Sequence, residues 1–97
     1  MVDTQKYQKM EAIEELLDDY DLIIAGLEAN IALRNLRIQT LESKLKMDKP
    51  ANVKVIGYKR LLGFKKEAHF NELKKITYQQ YQDGLREKLN NIKRGKE

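Results

Sequence analysis

The chain has 97 residues, 19 Lys or Arg against 15 Asp or Glu, a formal net charge of +4 and no Cys. A chain of this length buries only about 60–65% of the surface its unfolded form exposes, so its core is thin and a partner's surface is a natural supplement. The absence of Cys excludes disulfides, thiolate zinc sites and cysteine nucleophiles, and agrees with a reducing compartment.

The opening MVDTQKYQKM has no apolar run behind a basic start. The longest apolar stretch, LIIAGL at 22–27, is far short of the roughly 20 residues a membrane span needs. A soluble, cytoplasmic protein with no membrane partner is expected. Its small size and Lys- and Glu-rich composition would suit a phage or prophage protein.

From Thr4 to about residue 46 there is no Pro, and apolar residues recur at alternating steps of three and four: Met10, Ile13, Leu17, Tyr20, Ile24, Leu27, Ile31, then Arg34, then Ile38, Leu41 and Leu45. This is the pattern of a coiled-coil-like seam on one long helix. Asp3 or Thr4 is the candidate N-cap, and Lys44 and Lys46 suit the negative pole of the helix dipole. Arg34 interrupts the seam. Either it takes a carboxylate partner and fixes register, or the seam turns outward there and Leu33 or Leu36 replaces it. Leu22, Gly26, Ala29, Leu33 and Leu36 form a second stripe opposite the first, which a second copy of the chain would cover.

Pro50 ends this helix, because the residue before a proline is pushed away from helical angles. Residues 47–64 then read as an irregular connector, with Val53, Val55 and Ile56 as a short strand or extended lid and Leu61, Leu62 and Phe64 capping the hairpin. A shorter helix is expected from about 65 to 94, with Phe70, Leu73, Thr77, Tyr81, Leu85, Leu89 and Ile92 on its inner stripe, Ile76 and Tyr78 widening it, and Gly95 as its stop signal. The whole is an all-α, single-domain antiparallel helical hairpin, assembled into a homodimer or a higher bundle.

Charge divides unevenly. Residues 1–48 carry six basic and ten acidic side chains, and residues 49–97 carry thirteen and five. With residue 66 level with residue 46, Arg94 is expected beside Asp18, so that the basic tail meets the acids at 11–21. That leaves the connector as the cationic surface without internal partners. The first expectation of function is therefore an oligomeric, nucleic-acid-associated regulatory protein, DNA-binding through Lys54, Lys59, Arg60, Lys65 and Lys66, with Tyr58 and Phe64 as stacking rings. The alternative is a protein-interaction adaptor, scaffold or inhibitor that works through Leu22, Gly26, Ala29, Leu33 and Leu36.

No enzyme is expected, since no nucleophile and base come together by sequence. No cofactor or metal is expected either. Asp18, Asp19 and Asp21 spread over more than one helix face, and His69 reads as a surface residue. Tyr78 and Tyr81, at helical spacing, read as core.

Overall fold

The computed structural model describes residues 4–47 and 49–95. Among these the chain is all-helical and free of strands, with α1 over Thr4–Leu45 (42 residues) and α2 over Ala51–Lys93 (43 residues) packed against each other as a hairpin. No helix among the described residues is long and apolar enough to cross a membrane.

The first seam forms as its spacing predicts. Ile13, Ile24, Ile31 and Leu45 are buried, and Met10, Leu17, Tyr20, Leu27, Arg34, Ile38 and Leu41 are half-buried. Steps of three and four keep one stripe of a helix against a partner over many turns. The N-cap candidate Asp3 lies outside the described residues.

The connector and the strand are overturned: residues 51–64 belong to α2. α1 already stops at Leu45, ahead of the reach of Pro50, and Pro50 instead opens α2, its carbonyl accepting from the amides of Val53 and Lys54 at 3.1 Å each. Pro50 stands immediately before the first helical residue, Ala51, where its missing N–H removes no helical hydrogen bond. Gly57, Gly63 and the β-branched Val53, Val55 and Ile56 disfavour a helix by about 1 kcal/mol or less each. Packing overrides that penalty, because Gly57, Leu61 and Phe64 fall at seam spacing and face α1. The helices thus match in length, 42 and 43 residues, where a shorter second helix was expected.

The inner stripe of α2 also differs from expectation. Leu85, Leu89 and Ile92 face inward, but Phe70, Leu73, Thr77 and Tyr81 are exposed. The seam instead runs through Gly57, Leu61, Phe64, Ala68, Asn71, Lys75, Tyr78 and Gln82, each buried or half-buried. The reason is geometric. From Leu73 the expected stripe steps by four three times, to Thr77, Tyr81 and Leu85, and that drifts around the helix, whereas α1 presents an unbroken seven-residue repeat that only alternating steps can follow.

The chain comprises two compact units, Met1–Ala25 with Lys75–Glu97 and Gly26–Lys74. In the first, the terminal unit, Ile13, Leu89 and Ile92 form the core with Met10, Leu17 and Leu85 against them. Gln82, only 4% exposed, donates from Nε2 to the Leu17 carbonyl at 3.3 Å and to Asp21 Oδ1 at 2.6 Å. Tyr20 meets Tyr78 and Tyr81 at ring separations of 5.6 and 6.1 Å, and Tyr78 meets Tyr81 edge to face at 6.1 Å, an arrangement favoured by aromatic quadrupoles. Gly95 closes α2 with φ of +70° and donates to the Ile92 carbonyl at 3.1 Å. That left-handed cap is the stop the sequence predicts.

In the second, the turn unit, Ile31, Leu45, Leu61 and Ala68 are buried. Arg34 stays in the seam, so the seam does not turn outward there. Its Nε lies 2.7 Å from Glu67 Oε2, without an aligned hydrogen bond, and its guanidinium sits 5.8 Å over the Phe64 ring. The carboxylate partner expected for a charged seam residue is therefore present.

The register is corrected as well. Leu45 meets Gly57 and Ile13 clusters with Leu89, so each position of α2 lies level with the α1 position that brings their sum to about 102, not 112. The turn covers 46–50, in place of the connector expected over 47–64. Arg94 consequently passes Asp18 and comes level with the start of α1, while Arg86 and Lys88 come level with residues 14–16, and among the described residues none of the three pairs with the acids at 11–21. Arg86 pairs within its own helix, with Asp83 at 3.4 Å.

Candidate interaction surfaces

The five candidate phosphate-binding residues do not share one surface. On a seven-residue repeat, Lys54 stands at a seam position and is half-buried. Lys59 and Lys66, seven apart, point away from α1. Arg60 flanks the seam on one side, while Lys65 flanks it on the other and pairs with Glu42 Oε1 at 3.4 Å. Two of the five, Lys59 and Lys66, thus form a common outward face. Tyr58, 56% exposed, is on the flank of Lys65, and Phe64 is turned inward under Arg34.

What the helical hairpin concentrates instead is a basic block. Residues 34–66 carry ten Lys or Arg against Glu42 and Asp48, whereas residues 11–33 carry seven Asp or Glu and no Lys or Arg. Because the turn lies at the middle of the basic block, its two arms fold onto each other; Arg34 and Lys65 meet Glu67 and Glu42 across the pair, while other cations share one flank.

This is clearest in a groove of the turn unit, about 280 Å³ in volume, lined by Leu36, Arg37, Thr40, Leu41, Lys44, Arg60 and Phe64. A second hollow shares Leu41, Lys44 and Arg60 and continues to Lys49, Val53 and Ile56. The floor is apolar and the rim cationic. Arg37, Lys44 and Arg60 form no ion pair with another described residue. Like charges facing across a helix pair oppose the pairing, by a few tenths of a kcal/mol per pair when solvated.

The predicted oligomer stripe of α1 is exposed: Leu22 at 74%, Leu33 at 47% and Leu36 at 59%, with Gly26 and Ala29 also open. In the turn unit α2 has a counterpart that the sequence reading missed, in which Val55, Ile56, Leu62 and Phe70 are 54–59% exposed. All four fall on the outer side of the seven-residue repeat set by Gly57, Leu61, Phe64 and Ala68. The signal was present, since Val55 and Leu62 are seven apart and so are Ile56 and Gly63. It was hidden by reading this stretch as a loop.

Both helices thus carry exposed apolar side chains on the side away from the seam as well. Comparison of the chain with the profiles of known families, with curated proteins and with solved structures finds no match.

Proposed function

We propose that the chain is a non-enzymatic helical interaction module, a scaffold or adaptor that assembles with further helices through the apolar outer faces of α1 and α2, a second copy of itself first among them. One observation carries this reading: among the described residues eight hydrophobic side chains are buried while sixteen large ones are at least 41% exposed. Fully burying one such side chain contributes about 1.5–3 kcal/mol, and patches of this kind mark binding surfaces on proteins that stay dispersed.

The test is the triple variant Leu33→Gln, Leu62→Gln and Phe70→Gln. All three side chains are solvent-exposed, so helicity by circular dichroism should be retained. The sedimenting mass should fall to 11.4 kDa, the mass of one chain. An unchanged mass above that value would remove the outer faces from the interface.

A second reading has its own observation, the ten basic residues against two acids over 34–66, and retains nucleic acid as a polyanionic partner. On this reading Lys59 and Lys66 contact phosphates from the outward face of α2. Affinity for a DNA duplex in a polarisation assay should fall with salt, with a log–log slope of about 0.9 per phosphate neutralised. Lys59→Glu with Lys66→Glu should flatten that slope. Absence of binding at low salt, or a slope the double variant leaves unmoved, discards this reading.

A further inference from the structure

We propose that the cation-rimmed groove of the turn unit receives the acidic face of α1 from a second copy of this chain, an inference that rests on the self-association proposed above. The groove has an apolar floor in Leu36, Leu41 and Phe64 and three rim cations, Arg37, Lys44 and Arg60. Glu67, the acid of α2 nearest in sequence to Arg60, is engaged by Arg34 at 2.7 Å. The groove therefore offers positive charge with no described acid to answer it, above a surface that water wets poorly.

The matching surface is elsewhere on the same chain. Over residues 11–23, α1 is acidic and free of Lys and Arg. Its exposed side combines Leu16, Leu22 and Ile23, at 44%, 74% and 41% exposure, with Glu11, Glu15, Asp18 and Asp19. Asp21 is not part of this set, because it accepts from Gln82.

The spacing fits. Arg37 and Lys44 are seven residues apart on α1, and so are Glu11 and Asp18, each interval being about 10.5 Å along a helix axis at 1.5 Å per residue. An amphipathic helix laid in a groove with apolar anchors at steps of three, four and seven is a recurrent mode of recognition. Here Leu16 and Ile23, seven residues apart, meet the floor while the acids line the rim. Partial desolvation makes these charge pairs worth more than exposed ones and dependent on salt.

The test is a charge swap read by sedimentation at low salt. One variant reverses the rim, Arg37→Glu, Lys44→Glu and Arg60→Glu. The other reverses the face, Glu11→Lys, Glu15→Lys, Asp18→Lys and Asp19→Lys. Wild type should associate and should dissociate as salt rises. Each variant alone carries like charges on groove and face and should sediment at 11.4 kDa, whereas an equimolar mixture should recover the assembled mass.

Milder variants, Lys44→Gln with Arg60→Gln, should weaken association in part, which keeps the test readable if a full reversal unfolds. Mass unchanged by either reversal, or a mixture that stays at one chain's mass, overturns the proposal. Association that survives both reversals yet falls with Leu33→Gln, Leu62→Gln and Phe70→Gln removes the groove and leaves the outer-face reading standing. The reverse pattern removes the outer faces and leaves the groove.

Discussion

Ile92→Ala should lower the stability of the fold by about 2–5 kcal/mol, the range for truncating a large aliphatic side chain inside a packed core. Ile92 is 2% exposed, and it packs with Ile13 and Leu89 under Met10, Leu17 and Leu85. A two-helix layer has few side chains available to fill the resulting cavity. The urea midpoint followed by circular dichroism, at one fixed protein concentration because association contributes to apparent stability, measures the effect. Ile76→Ala, at a position 45% exposed, should cost no more than about 0.5 kcal/mol. Equal midpoints for the two variants would contradict the core assigned to the terminal unit.

Gly57→Leu should destabilise by about 1–3 kcal/mol through overpacking, even though replacing Gly inside a helix contributes about 1 kcal/mol of favourable propensity. A Cβ at Gly57 would stand 2.5 Å from Leu45 Cδ2 and 3.4 Å from its Cγ, and Leu45 is itself 7% exposed. The close approach of the helices just past the turn requires a residue without a side chain at that seam position. Leu45→Ala in the same chain should recover part of the loss, giving a coupling of about 0.5–3 kcal/mol in a double-mutant cycle. A Cβ at Gly63 meets nothing within 4 Å, so Gly63→Ala should show the propensity gain alone. If Gly57→Leu were as favourable as Gly63→Ala, the packing of Leu45 on Gly57 would be wrong.

The first helix was legible residue by residue, and the second was not. From Met10 to Leu45 the repeat is unbroken and every seam residue lies inward, Arg34 included, because an apolar period names its own face. In α2 the seam is filled by Gly57, Ala68, Asn71, Lys75 and Gln82, small or polar residues that carry no hydrophobic signal, while Phe70, Leu73 and Tyr81 carry one and lie outside. Their inward assignment failed because the periodicity of the partner helix, and not the hydrophobicity of α2, decides which side faces in.

Reading 47–64 as a connector then moved the register by about ten residues, which paired Arg94 with Asp18 on paper. The exposed stripe of α1 was foreseen from Leu22, Gly26, Ala29, Leu33 and Leu36 alone. The groove was not, although Arg37 and Lys44 immediately precede the seam residues Ile38 and Leu45, and Arg60 immediately precedes Leu61. Once α2 is known to be helical from Ala51, those three residues fall on one flank of the hairpin.

As proposed, two helices apolar on both sides form a module that completes its core with other helices of its own kind. Sedimentation equilibrium of the unmodified chain at low salt tests it most directly. The mass should be a whole-number multiple of 11.4 kDa and should fall with dilution or added salt. A mass of one chain at every concentration and salt would contradict it.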